Sequence, residues 1–135
     1  MREAVLLKVA VPWIPPVRMS PNRRTSDRTI RRDIATARDV TEMAIVNQLR
    51  GAGGDTYAGP VHFTFIFCWP PGRKRWDDSN LSGAPVKGII DAFERKGIIV
   101  NDRQADAPTI RQSHDDGQGY VYVELTTRAA AQEAA

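Results

Sequence analysis

"VHFTFIFCW" (residues 61–69) decides the fold. Its side chains alternate strictly: Phe63, Phe65, Phe67 and Trp69 point one way, His62, Thr64, Ile66 and Cys68 the other. Four rings on one face of a run rich in strand-forming residues predict a central strand.

Toward the N-terminus, Ile30, Ile34, Ala37, Thr41, Ala44, Ile45 and Gln48 or Leu49 recur at helical spacing, predicting a helix from about Asp27 to Arg50. Ser26 or Asp27 is placed to cap it, and "GAGGD" (51–55) ends it. Before it, "EAVLLKVAVPW" (3–13) reads as a first strand stopped by Pro12, Pro15 and Pro16, followed by a basic loop. Toward the C-terminus, "PPGRKRWDDSNLSGA" (70–84) reads as a loop. Pro85 opens a second helix whose stripe is Val86, Ile89, Ile90 and Phe93, and Gly97 closes it.

"APTIRQS" (107–113) and "YVYVELT" (120–126) complete four strands, with "HDDGQG" expected as an antiparallel hairpin turn. The prediction is an α+β fold: a single four-stranded sheet with two helices, in the order β-α-β-α-β-β. Periodicity leaves open whether the remaining pairs are parallel. One domain is expected over residues 1–128, with a disordered tail over 129–135.

The chain has 135 residues and one cysteine, Cys68, which excludes an intrachain disulfide and a cysteine-rich zinc site. No apolar run approaches the roughly 20 residues of a membrane span, so a cytoplasmic protein is expected. Net charge is +3, and of the 19 cations all but Lys8, Lys74, Lys87 and Lys96 are arginine. Arg18, Arg23, Arg24 and Arg28 begin one basic segment, and Arg73, Lys74 and Arg75 form a second cluster. A guanidinium grips phosphate with two bonds where an ammonium does not, so these seven side chains are candidates to hold nucleic acid. A solvated helix face is the alternative.

Between the second cluster and residue 102 the chain gathers Asp77, Asp78, Asn80, Lys87, Asp91 and Asp102. Lys87 and Asp91, four apart, share a helix face at the edge of the apolar stripe, and the flanking loops are within reach of it. Mg²⁺ takes one or two carboxylates together with water and substrate phosphate, and a nearby lysine offsets charge that builds on phosphate. The competing explanations are ordinary loop chemistry for Asp-Asp-Ser-Asn and a surface ion pair for Lys87–Asp91. A lysine in a first helical turn opposes the helix dipole, and such local misfits tend to mark functional sites. His62 and His114 read as strand and turn residues, and Cys68 and Trp76 as packing.

"RKRWDDSNLSGAPVKGIIDAFERKGIIVND" (73–102), with "PPVRMSPNRR" upstream, resembles the RusA family of Holliday junction resolvases of phage and prophage origin. The resemblance implies a homodimeric Mg²⁺-dependent endonuclease of DNA recombination and repair, with Mn²⁺ able to substitute and no small-molecule cofactor. It implies a catalytic set of Asp77, Asn80, Lys87, Asp91 and Asp102. Metal would be held by Asp77, Asp91 and Asp102, with Asp78 in reserve, because Ser79 stands where the family has a second aspartate. Asn101 replaces the first acid of the family's last pair, and "SGAP" is inserted before the lysine. A non-catalytic module that binds branched DNA is the competing expectation.

Overall fold

The computed structural model describes residues 5–49 and 56–127. Strand β2 spans Val61–Trp69 as its alternation predicts, and Phe63, Phe65, Phe67 and Trp69 are each 0% exposed. The rings stack in pairs, Phe63 on Phe65 at 5.5 Å and Phe67 on Trp69 at 5.9 Å between centroids. Burying side chains of this size contributes the largest share of the apolar stabilisation in so small a sheet.

The other strands are β1 (Val5–Val11), β3 (Thr109–His114) and β4 (Tyr120–Thr127), and the sheet order is β1-β4-β2-β3. β4 pairs antiparallel with β1 and with β2, whereas β3 pairs parallel with β2. The sheet is therefore mixed, and the expected hairpin between the last two strands is not formed. β3 and β4 lie on opposite sides of β2. Residue burial agrees with this order. Val121, Val123 and Leu125 of β4 are each 0% exposed in the middle of the sheet, while β3 carries half-buried and exposed residues that suit an edge. "HDDGQG" carries the chain over the end of β2, where the Asp115 N–H bonds the Trp69 carbonyl at 2.9 Å. A Cβ on Gly119 would stand 2.5 Å from Ile14 Cδ1 and 2.7 Å from Pro70 Cδ, so only glycine fits that crossing.

Three helices form, where two are expected. α1 spans Asp27–Gln48, α2 is the single turn Asp78–Leu81, and α3 spans Ala84–Arg95. Ser26 caps α1 by accepting the Thr29 N–H at 3.2 Å. α2 arises within the stretch expected as loop because Leu81 is drawn fully into the core. Pro85 sits in the first turn of α3, and Gly97, at φ +74°, ends it. The Ile98 N–H then reaches the Phe93 carbonyl and the Gly97 N–H the Glu94 carbonyl, both at 3.0 Å, which satisfies two carbonyls of the last turn.

α1 and α3 meet at Gly88, where a Cβ would collide with the carbonyl oxygen of Ile34. That close approach accompanies the seating of Val86, Ile89 and Phe93 in the core, with Phe93 edge-on to Phe63 at 5.2 Å. Lys87 and Asp91 are left on the rim. At the outer edge of β1, Gln48 of α1 pairs with Ala10: its Oε1 accepts the Ala10 N–H at 2.8 Å and its Nε2 donates to the Ala10 carbonyl at 2.7 Å. Arg50, the glycine-rich stop at 51–55 and the expected tail at 129–135 lie outside the described residues. No helix among the described residues is long and apolar enough to cross a membrane.

Candidate functional site

The first two turns of α3 place Lys87 and Asp91 on one side of an open cleft of about 410 Å³. Asp102, in a 3-10 turn over Asp102–Gln104, also lines it, and Ser82, Gly83, Ala84, Val86 and Ile90 complete the lining. Lys87 and Asp102 are exposed and Asp91 is half-buried. Lys87 takes part in no ion pair among the described residues, so the surface-pair explanation of Lys87 and Asp91 is not realised. Its ammonium is available to a ligand.

The turn bearing Asp102 is held from two sides. Asn101 Oδ1 accepts the Arg103 N–H at 2.9 Å, while Gln104 Oε1 accepts the N–H groups of Val100 and Asn101 at 2.6 and 3.0 Å. Gln104 Nε2 donates to the carbonyls of Tyr57 and Gly59, both at 2.8 Å. Asn101 thus has a capping task that an aspartate would also perform, which gives its side chain a local structural use.

Asp77, Asp78 and Asn80 lie at α2, which packs against α3, but they are not among the residues that line the cleft. Asp77 precedes α2 and its carboxylate makes no capping bond, while its carbonyl accepts the Asn80 N–H at 2.9 Å. Asp78 Oδ1 accepts from Gln112 Nε2 at 2.6 Å. The same glutamine brackets Trp76, accepting its N–H at 3.0 Å and donating to its carbonyl at 2.7 Å, and also accepts from Trp69 Nε1 at 2.9 Å. Trp76 packs on Trp69 at 5.8 Å, as expected for a packing residue.

Among the described residues no three His, Cys, Asp or Glu side chains gather as a ready-made cation cage. The donor set nonetheless fits Mg²⁺, which commonly takes only one or two carboxylates from protein and completes its shell with water and phosphate. Asp91 and Asp102 would hold it, in an open cleft that leaves room for the remaining ligands.

The cations divide in two. Arg18 grips the buried Asp33 with two bonds, Nε to Oδ2 at 2.8 Å and Nη2 to Oδ1 at 2.6 Å, and this pairing holds its guanidinium above the usual range. Arg73 donates to the Pro15 carbonyl at 2.8 Å and lies 5.0 Å over the Trp69 ring, with burial lowering its pKa. Both have partners in the fold, although the Arg18 side chain remains 55% exposed. Arg23, Arg24, Arg28, Lys74 and Arg75 are exposed and take part in no ion pair among the described residues.

The histidines serve the fold, His62 in a strand as expected and His114 as the last residue of β3 rather than in the turn. His62 bridges Asp106 and Thr109, 2.7 Å on each side, and His114 Nε2 lies 3.2 Å from the Arg73 carbonyl. Gln112, Gln104 and the Arg18–Asp33 fork are what sequence reasoning misses. Gln112 reaches its partners through the pairing of β3 with β2, where it stands beside Phe67, and that pairing is not legible in the sequence. No family model matches the chain, and no curated protein matches it.

Proposed function

We propose that the chain is a Mg²⁺-dependent, structure-specific DNA endonuclease that resolves four-way junctions as a homodimer, in the manner of the RusA family. One observation carries this: Lys87, Asp91 and Asp102, from two separate elements, face a single open cleft. Two carboxylates with an unpaired ammonium suit hydrolysis of a phosphodiester. Mg²⁺ bound there would supply a Lewis acid that polarises the phosphate and a site at which a water is oriented for attack. Asp91 and Asp102 orient the cation. Lys87 Nζ donates to a phosphate oxygen and offsets the charge that develops on it. Arg23, Arg24 and Arg28, with Lys74 and Arg75, hold flanking phosphates and steer the junction to the cleft. Paired cuts across a junction need two such clefts related by a twofold axis, which a homodimer provides.

A second reading is a module that binds branched DNA without cutting it, favoured by the lack of a three-acid cage among the described residues. Incubating a labelled four-way junction with purified protein, with and without Mg²⁺, separates the two, with a linear duplex of equal length as control. Junction cleavage that requires Mg²⁺ is expected. Binding without cleavage at millimolar Mg²⁺ supports the module.

A further inference from the structure

The helices pack on the face of the sheet that carries Phe63, Phe65, Phe67 and Trp69, and strand alternation turns the remaining side chains to the opposite face. The strand register lines these up in rows. Ala10, Tyr122, Ile66 and Arg111 form one row, with Lys8, Glu124, Thr64 and Thr109 on one side of it and Tyr120, Cys68 and Ser113 on the other. Ile66, Tyr120 and Tyr122 are half-buried yet take no part in the core. Lys8 and Arg111 are exposed and in no ion pair among the described residues. The Tyr120 hydroxyl lies against the Cys68 thiol of the neighbouring strand, a contact that holds the phenol above its ordinary pKa range. Its ring therefore leans across β2 rather than standing off the sheet.

We propose that this face binds a single strand of DNA, with unpaired bases stacked on Tyr122 and Tyr120 and phosphates held by Lys8 and Arg111. Aromatic rings on a sheet stack with the faces of bases, which a strand exposes only when it is unpaired. Three strand spacings, about 14 Å, separate β1 from β3, so a chain that crosses the sheet diagonally over Tyr122 meets a cation at each edge. Acids stand toward the ends of the face, Asp106 beside His62 and Asp115 near Tyr120, and they keep phosphates to the diagonal between Lys8 and Arg111. Glu124, next to Lys8 across the strands, is an acceptor suited to the exocyclic amine of a base. A second copy of the chain is the poorer occupant, because stable protein interfaces deplete charged residues at their centre, where this face has Glu124. The face lies on the other side of the sheet from Lys87 and Asp91, so the inference goes beyond the cleft. Only the choice of DNA over RNA rests on the reading above.

The test is fluorescence anisotropy without divalent cation, using a labelled DNA strand of about ten nucleotides and the RNA strand of the same sequence. The proteins are the wild type, Tyr122→Ala and Tyr122→Phe, each with a thermal melt. Affinity for the DNA strand is expected to fall roughly five- to a hundredfold in Tyr122→Ala and to be retained in Tyr122→Phe, since the ring and not the hydroxyl carries the stack. Wild-type affinity in Tyr122→Ala overturns the inference, and so does tighter binding of the RNA strand by the wild type. If sedimentation shows that Tyr122→Ala turns a dimer into a monomer while strand affinity stays unchanged, the occupant is a second copy and the inference fails. A second measurement needs no variant: as the DNA strand is added to the wild type, the backbone amide signals of Tyr120, Tyr122 and Arg111 should shift. Unmoved signals at all three overturn the inference. Failure of either measurement leaves the proposed function standing, because Mg²⁺-dependent cleavage of a junction tests that reading separately.

Discussion

Arg18 and Asp33 form a two-bond fork, 2.8 and 2.6 Å, that joins the turn before α1 to the helix itself. The carboxylate is buried, with a side chain 6% exposed, while the arginine is 55% exposed. Its obligation is therefore one-sided: the arginine can return to water, but the aspartate cannot.

Arg18→Ala is accordingly expected to lower the melting temperature, and Arg18→Ala with Asp33→Asn to recover much of the loss, because the double variant leaves no unpaired buried charge. Thermal melts of the three proteins give the comparison. Equal stability of Arg18→Ala and the wild type would show that the fork is idle.

Replacing Arg23, Arg24 and Arg28 together with alanine should act on DNA rather than on the fold. Each phosphate contact contributes about −0.9 to the slope of log affinity against log salt on duplex DNA. Losing three should flatten that slope by roughly 2 to 3. Gel-shift titrations at four salt concentrations measure it, and an unchanged slope would place the DNA surface elsewhere.

Gly88→Ala inserts a methyl group against the Ile34 carbonyl at the crossing of α1 and α3. Overpacking of this kind costs about 1–3 kcal/mol. Urea unfolding should show a lower midpoint with an unchanged slope, and junction cutting should weaken in parallel because α3 carries Lys87 and Asp91. Wild-type stability would mean that the two helices part without resistance.

Lys87→Met retains the aliphatic stem and helix propensity while removing the ammonium from the cleft. Since Lys87 is exposed and in no ion pair among the described residues, stability should change by less than about 1 kcal/mol. Junction affinity should fall only slightly, whereas single-turnover cleavage should drop by roughly a hundredfold or more. Near-normal cutting would reduce Lys87 to a surface charge.

The elements most legible in the sequence are those whose pattern is local. β2, α1 and α3 follow from periodicity, and Pro85 and Gly97 mark the ends of α3 where backbone chemistry requires them. Strand neighbours are not local. "HDDGQG" has the composition of a hairpin turn, yet β4 pairs with β1 and β2 and leaves β3 on the other side of β2. At the site, the spacing of Lys87 and Asp91 is visible in the helical repeat, and Asp102 joins them only through the fold. Arg18 and Arg73 show the limit from the other side: a count of cations cannot tell an unpartnered guanidinium from one held by Asp33 or laid over Trp69.

The amide of Gln48 has a consequence for how copies of this chain can meet. An open sheet edge is a template on which another strand can grow, and β1 would offer one. With both backbone groups of Ala10 already taken by Gln48, a visiting strand finds the ladder interrupted near the C-terminal end of β1. Continuous extension of the sheet across that side is disfavoured, which guards against edge-to-edge fibre growth. Gln48→Ala would reopen that template, with concentration-dependent aggregation, visible by light scattering, as its signature.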